Sequence, residues 1–201
     1  MLNLLFLHPL IHTQMLTIYL IRHGETIENC SGILQGCTPG HLNKKGEEQI
    51  KALSDRLGSL KFDAFVSSDL KRALDSAAII NKKFNLPIDL CPLLRERDWG
   101  SLTGMSYTEA KKLDVFPDDV ETQEHGCARA VEFLNTMIKK YDGKTILAMG
   151  HGFINRCILS AVYGIQKSEV QRMDNGECRI FSYENTIELS YSTETDEVSA
   201  N

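Results

Sequence analysis

The chain has 201 residues, of which 42% are hydrophobic and 24% charged, a composition typical of a soluble globular domain and not of a disordered chain. Its 22 Lys and Arg residues against 27 Asp and Glu residues give a formal net charge of −5. No block of Lys and Arg is present, which argues against a nucleic-acid-binding protein. An anionic ligand must therefore be held by a few placed cations and backbone amides.

Cysteine spacing and hydropathy exclude several other protein classes. The six cysteines, at 30, 37, 91, 127, 157 and 178, form no C-x-x-C pair, so neither a zinc knuckle nor a small disulfide scaffold is indicated. No apolar run reaches the roughly 18–20 residues of a membrane span. We therefore predict a cytoplasmic protein with reduced thiols, no membrane partner, no metal and no cofactor.

The N-terminal segment differs from the rest of the chain. Residues 1–14 carry an apolar stretch without Lys or Arg, whereas a signal peptide has a cationic start and a small-residue cleavage site. Pro9 also interrupts any helix there. We interpret 1–14 as an extension before an internal start at Met15, and residues 15–201 as a single domain.

The first half of that domain alternates strand and helix patterns. The β-rich apolar run at 16–21 predicts a strand. Residues 45–58 predict a helix with Ile50, Leu53 and Leu57 on one face, and Gly58 stands where a helix stop is expected. A second strand follows at 62–66, and a second helix is predicted to begin near Ser68.

The same alternation continues in the second half. In chain order the sequence predicts a loop over 91–123 with a short helix at 106–113, a helix at 124–141, a strand at 144–149, a helix ending near 163, and a hairpin of two edge strands at 178–192 around Glu184-Asn185. Alternating strands and helices indicate a three-layer α/β/α sandwich with a mainly parallel sheet. Ligands of such sheets bind beyond the carboxyl ends of the strands.

Three predicted strands end in residues suited to phosphate chemistry. They lead into Arg22-His23-Gly24, into the segment 67–72 with Arg72, and into Gly150-His151-Gly152. In a parallel sheet these groups converge at one rim. Arginine forms forked hydrogen bonds with phosphoryl oxygens, the glycines let backbone approach a ligand, and helices starting near Ser68 and Gly152 direct amides toward the same place. The sequence thus predicts a pocket for a phosphate dianion.

Four motifs then resemble one family. They are Leu20 to Thr26 followed by Asn29, Ser67 to Ala73, Leu94 to Gly100, and Gly150 to Gly152 followed by Arg156. Together and in this order they resemble the signature of the histidine phosphatase superfamily, also called phosphoglycerate-mutase-like. The resemblance covers about residues 22–156. Four motifs in the family order are far more specific evidence for this family than a single Arg-His-Gly motif.

The resemblance implies a role for each motif residue. His23 is the implied nucleophile that becomes phosphohistidine, and Arg22, Arg72 and His151 are implied to hold the phosphoryl oxygens. Glu96 is the implied proton donor to the leaving oxygen, kept protonated by nearby phosphate charge, and then the base for water. The implied or predicted substrate-binding residues are Asn29, Thr26, Gln35, Gly36 and Gly152. The ligand is then a small phosphorylated metabolite.

The superfamily contains phosphatases and mutases, and the region after the acid motif favours a phosphatase. Between residues 102 and 124 the only cations are Lys111 and Lys112, against six acidic residues, so little is available to grip a phosphoglycerate carboxylate. We predict a phosphatase similar to the broad-specificity or alpha-ribazole phosphatases, with a mutase as the alternative. Thr38 stands where relatives often have an acidic residue, so the outer pocket is predicted to differ.

Two hypotheses from other classes remain open. A non-catalytic phosphate sensor on the same scaffold is disfavoured, because every expected pocket position is filled. A metal site of His23, His151 and Glu96 would be a two-His one-carboxylate set. The adjacent Arg22 and Arg72 would repel a divalent cation, so this reading is also disfavoured.

Overall fold

A computed structural model describes residues 15–183, and a central five-stranded sheet organises them. The strands are β1 (Leu16–Arg22), β2 (Ala64–Ser67), β3 (Ile88–Leu90), β4 (Thr145–Gly150) and β5 (Cys178–Tyr183). Their spatial order is β3-β2-β4-β1-β5, and only the edge strand β5 is antiparallel to its neighbour. The mainly parallel sheet is therefore confirmed.

Helices cover both faces of this sheet. They are α1 (Ile27–Cys30), α2 (Lys44–Leu57), α3 (Lys71–Phe84), α4 (Tyr107–Ala110), α5 (Gln123–Tyr141) and α6 (Gly152–Tyr163), with 3₁₀ turns at Pro92–Leu94 and Gly100–Leu102. Within the described range, no helix combines the length and the apolar character needed to cross a bilayer.

Alternating strand residues divide the core into two layers. In β4, Ile146 and Ala148 pack with α5 and α6, whereas Leu147 and Met149 pack with α2 and α3. Successive strand side chains point to opposite faces, so a central strand covered on both sides is apolar throughout. The three-layer α/β/α prediction is confirmed by these two layers.

The register of the central strands fixes the rim. Arg22 at the end of β1 pairs with Gly150 at the end of β4, and Ser67 at the end of β2 pairs with Met149. Because the three strands run parallel and end at the same level, the residues that follow them lie side by side. The sheet thereby places the predicted phosphate residues on one edge.

Two elements differ from the sequence-based prediction. Helix α3 begins at Lys71 and not near Ser68, because the Ser68 hydroxyl accepts a hydrogen bond from Leu70 N and holds a non-helical turn. Strand β3 was not predicted, since three residues with an acidic centre give no usable periodicity. The first strand of the predicted hairpin is β5, whereas the Glu184-Asn185 turn, the second hairpin strand and residues 1–14 lie outside the described residues.

Candidate active site

A cavity of about 440 Å³ opens at the carboxyl ends of β1, β2 and β4. Its inner wall contains Arg22, His23, Arg72 and Glu96, and buried His151 lies directly behind it, with its ring centroid 4.9 Å from that of His23. The five residues implied to be catalytic are therefore brought together. The volume suits a small molecule.

The tautomer of His23 is fixed by its neighbour. Its Nδ1 lies 2.7 Å from the Gly24 carbonyl oxygen, which can only accept, so Nδ1 carries the proton. The other nitrogen, Nε2, accepts a hydrogen bond from Arg72 Nε at 3.3 Å. Burial lowers the pKa of His23 well below its usual value, and the charges of Arg72 and Arg22 lower it further. The imidazole is thus neutral, with a lone pair on the nitrogen that faces the cations.

His151 is also a buried neutral imidazole. Its Nε2 is 2.9 Å from the Ser68 hydroxyl, and its buried Nδ1 has no hydrogen-bond partner among the described residues. Burial lowers its pKa well below the usual value, with Arg72 and His23 adding to the effect. An unpartnered buried ring nitrogen beside His23 suits a donor awaiting a ligand oxygen.

The two neutral histidines predict an acid-sensitive fold. Between pH 6.5 and the lower folded-state pKa values the unfolded chain binds protons that the folded chain does not, so stability falls as pH decreases. We expect the free energy of unfolding to drop below pH 6.5 by up to about 1.4 kcal/mol per pH unit for each histidine. Urea titrations at pH 7.5, 6.5 and 5.5 measure this. His23→Asn should show the shallower slope, and an unchanged slope in that variant would contradict the assignment.

Arg72 links the phosphate pocket to the loop that carries Gln35 and Gly36. The side chain is only 1% exposed. Besides the bond to His23, Nη2 donates to the Gly36 carbonyl at 2.8 Å and Nη1 to that of Thr38 at 2.5 Å. Three of its five N–H hydrogens are used, which leaves one on each terminal nitrogen for a ligand. Arg72 therefore holds the loop and faces the cavity at once.

Arg22 is held from the other side. Its Nη1 donates to the Met173 carbonyl at 2.6 Å, while the buried Nε has no acceptor within the part of the chain that the structure describes. Gly152 packs against the guanidinium, since a Cβ there would lie 3.4 Å from Arg22 Cζ. A buried guanidinium N–H without an acceptor is costly unless an anionic ligand supplies one.

Asn29 is oriented as a donor. Its side-chain oxygen accepts hydrogen bonds from Thr26 N and from Asn175 Nδ2, both at 3.2 Å, so its NH₂ group remains available to the cavity that it lines. Thr26, predicted to bind substrate, does not line the cavity. It is fully buried, and its hydroxyl caps α1 by accepting from Asn29 N at 3.0 Å. Thr26 positions Asn29 instead.

The predicted glycines have different surroundings. Gly36 and Gly152 line the cavity, as does Gln35. Gly24 instead lets α2 approach, because a Cβ would lie 2.5 Å from the Gly46 carbonyl oxygen. A Cβ at Gly150 would lie 2.2 Å from Asn155 Oδ1. The expectation that Gly24 and Gly150 face the ligand is therefore wrong, since both are needed for close packing behind the rim.

Glu96 is held by the start of α6. Its carboxylate accepts hydrogen bonds from Arg97 N at 2.9 Å and from Phe153 N at 3.1 Å. Arg129 supports the loop from behind: it donates to the carbonyls of Leu93 and Arg95 and, at 3.5 Å, to that of Glu96. The helix amide predicted to meet phosphate is thus occupied by the carboxylate. The carboxyl group is fixed over the cavity.

A paired carboxylate keeps that support in place. Glu121 binds Arg129 through two hydrogen bonds of 2.8 and 2.9 Å, the forked geometry that gives strong and directional pairs. Through Arg129, Glu121 thus supports the loop that carries Glu96.

Comparison with known proteins agrees with this geometry. The family model for the histidine phosphatase superfamily (branch 1) matches residues 18–188. The chain belongs to the histidine phosphatase superfamily. This histidine phosphatase is 34% identical over 154 residues to a Bacillus subtilis protein named "Uncharacterized phosphatase PhoE", covering 75% of this chain and 79% of the relative.

Mutase-like relatives and solved structures also match the histidine phosphatase. A protein of Enterobacter sp. named "Probable phosphoglycerate mutase GpmB" is 29% identical over 185 residues, covering 83% of each chain. The structure of Bacillus stearothermophilus YhfR superimposes with a TM-score of 0.77 at 25% identity, covering 82% of this chain and 90% of that one. Both phosphatase and mutase names therefore occur among the relatives.

Sequence reasoning missed the outer wall of the histidine phosphatase cavity. Four cations line it: Arg97, Arg156, Lys167 and Arg172. The expectation of few cations near the substrate was drawn from residues 102–124. The two lysines of that segment, Lys111 and Lys112, do not line the cavity, and three of the four cations of the outer wall follow β4 in the chain. Asn175 was also missed. Arg97 and Arg156 lie in the third and fourth motifs, which gave no indication of a cavity wall. Lys167, Arg172 and Asn175 have no strand-end or motif signal, because only the fold brings residues 156–175 over the rim.

The arrangement also bears on the metal hypothesis. The His23 nitrogen that would bind a metal accepts from Arg72, a cation. Within residues 15–183, no three His, Cys, Asp or Glu side chains are grouped so as to hold a metal ion. The set of His23, His151 and Glu96 predicted as an alternative metal site is therefore not assembled as one.

Proposed function

We propose that the protein is a phosphatase that hydrolyses a small phosphomonoester through a phosphohistidine at His23. The observation that carries the proposal is the His23 imidazole, neutral, with Nδ1 bound to a carbonyl and Nε2 facing two arginines. A nitrogen lone pair is a nucleophile toward phosphorus, and a covalent intermediate divides one difficult displacement into two easier steps.

In the first step, His23 Nε2 attacks phosphorus. The Nε2–P bond forms as the bond from phosphorus to the ester oxygen breaks, and that oxygen takes a proton from the Glu96 carboxyl group. Charge on the transferring group spreads over three equatorial oxygens. The free N–H groups of Arg22, Arg72 and Asn29 stabilise this charge by being fixed in advance.

In the second step, water attacks the phosphohistidine. Glu96, now a carboxylate, accepts a proton from the water as the new O–P bond forms and the Nε2–P bond breaks. Inorganic phosphate leaves and His23 returns to its neutral form. The Gly24 carbonyl holds Nδ1–H through both steps, so the ring keeps its orientation and the same nitrogen is regenerated.

A mutase is the second candidate, favoured by two observations. Relatives named as phosphoglycerate mutases align over 83% of the chain, and the four cations of the outer wall supply positive charge at the cavity, which Lys111 and Lys112 do not line. Hydrolysis is supported by the phosphatase names of other relatives and by the short segment after the acid motif, where α4 has only four residues.

Incubation with 3-phosphoglycerate discriminates the two functions. We expect inorganic phosphate to form faster than 2-phosphoglycerate, without any requirement for a bisphosphate primer, because water is the acceptor. Coupled assays for phosphate and for the isomer, run on one sample with phenyl phosphate as a second substrate, measure both rates. Isomerisation faster than the hydrolysis of either ester would mean that the protein is a mutase and not a phosphatase.

A further inference from the structure

The four cations of the outer wall, Arg97, Arg156, Lys167 and Arg172, have no carboxylate partner among residues 15–183. Elsewhere on the chain many cations are paired, as in Arg129–Glu121 and Arg95–Asp69. Within residues 15–183, no Asp or Glu forms an ion pair with any of the four. Three of them are partly buried, so solvent does not simply replace the missing anion.

Their contacts hold the side chains in place without neutralising them. Arg97 lies 4.5 Å from the centre of the Trp99 ring, and Lys167 Nζ lies 4.8 Å from that of Phe153. Arg172 faces Tyr107 at 5.6 Å. Stacking on an aromatic face stabilises a cation but leaves N–H donors free at the edge. The rings thus keep the cations directed into the cavity.

Arg156 supports the backbone that carries part of the outer wall. Its Nε donates to the Val170 carbonyl at 3.0 Å and its Nη2 to the Lys167 carbonyl at 2.6 Å. These bonds tie the segment after α6 to the helix and so position Lys167 at the cavity. Arg156 itself also lines the cavity.

Like charges at this wall repel one another. Burial lowers the pKa of Lys167, and the charges of Arg156 and Arg97 lower it further. Burial also lowers the pKa of Arg156, with Arg172 adding to it. Glu96 is the one Asp or Glu among the described residues that line the cavity, against six cations. The charges of Glu121, Glu96 and Glu124 act on Arg97 without forming an ion pair with it. A phosphate dianion held by Arg22 and Arg72 therefore still leaves the outer four without a paired anion among the described residues.

We propose that the outer wall is a second anion subsite, which binds a carboxylate or a phosphoryl group of the same molecule whose ester phosphate lies at His23. This inference rests on the proposed function for the position of the ester. The substrate class is then a small phosphomonoester with a second anionic group. Esters that end in an alcohol, or in an ammonium group, lack the charge that the wall requires.

Binding of phosphonates tests the subsite without turnover. The probes are ω-carboxyalkylphosphonates with two to five methylene groups and alkylphosphonates of the same lengths, and alkane-α,ω-bisphosphonates distinguish a phosphoryl from a carboxylate preference. Titration calorimetry gives the ratio of dissociation constants for each matched pair. We expect the doubly anionic probe to bind at least about tenfold more tightly at the best length, since a charge-assisted hydrogen bond contributes about that much.

Lys167→Gln and Arg172→Gln are the informative variants. Each should lower the ratio of dissociation constants about tenfold, or to one where the wild-type ratio is itself about ten. Lys167→Arg should keep the wild-type ratio, because it retains the charge. Added salt should lower the ratio. Lys139→Gln, at an exposed position of α5, is the matched control and should leave the ratio unchanged.

Three results separate this inference from the proposed function. A ratio near one at every length, or a ratio that Lys167→Gln and Arg172→Gln leave unchanged, overturns the subsite. 3-Phosphoglycerate and 4-carboxyphenyl phosphate, two esters that carry the second anionic group, are assayed with the same preparation: if neither releases phosphate while the ratio holds, the subsite stands and the phosphatase proposal fails.

Discussion

His23→Ala is expected to lower the turnover of any phosphomonoester on the order of 10⁵-fold or more, because removing the nucleophile of a covalent mechanism leaves only binding and charge stabilisation. Denaturing mass spectrometry after rapid mixing with an aryl phosphate should detect one added phosphoryl group on the wild-type chain. Peptide mapping should place it on His23, with the stability in base and lability in acid of a phosphorus–nitrogen bond.

A second variant separates chemistry from folding. The imidazole is only 2% exposed, so His23→Ala leaves a cavity beside Arg72. His23→Asn retains a donor for the Gly24 carbonyl without a nucleophilic nitrogen, and its thermal unfolding should remain close to that of the wild type while its turnover is lost. A phosphoryl group found on a Ser, Asp or Cys, or substantial turnover by both folded variants, would refute the assignment.

The inner site was predictable because each of its parts has a local sequence signal. Arg22, His23 and His151 stand directly after apolar runs of strand length, and a parallel sheet brings such positions together whatever the loops do. Glu96 came from the motif resemblance alone. The sequence pattern does not indicate that Phe153 N, at the start of α6, donates to the Glu96 carboxylate, since that contact joins positions 57 residues apart.

The parts that escaped prediction depend on tertiary packing. Arg156 lies on a helix, where a charged residue usually marks a solvated face, yet it holds the carbonyls of the segment that follows. Lys167 and Arg172 lie in that segment, which has no pattern of its own. Gly24 illustrates the opposite case: its position was informative, but the backbone that it admits belongs to α2 and not to a ligand.

The second large effect concerns Glu96, and its size depends on the leaving group. An alkoxide leaves poorly without a proton, and general acid catalysis contributes about 10²–10⁴-fold. We expect Glu96→Gln to slow phosphohistidine formation by that order with an alkyl phosphate. With an aryl phosphate whose phenol is acidic, the same substitution should have little effect on this step, because the phenolate departs unaided.

The geometry makes glutamine the appropriate replacement. The Glu96 carboxylate accepts from Arg97 N and Phe153 N, and the amide oxygen of a glutamine can accept both bonds, so the loop and the start of α6 keep their positions. Glu96→Ala would free both N–H groups and mix a structural change with the loss of the acid. Thermal unfolding of the two variants should therefore differ, with the alanine variant less stable.

The comparison has to be made in the burst phase. Water attack on phosphohistidine also needs Glu96 as a base, so steady-state rates fall for both substrates and conceal the difference. Rapid-quench measurement of the phosphoenzyme isolates the first step. Equal burst-phase losses on alkyl and aryl esters would mean that Glu96 is not the acid. Asp98 is a weak substitute, because its carboxylate accepts from Gly100 N and does not line the cavity; solvent would then be the remaining proton source.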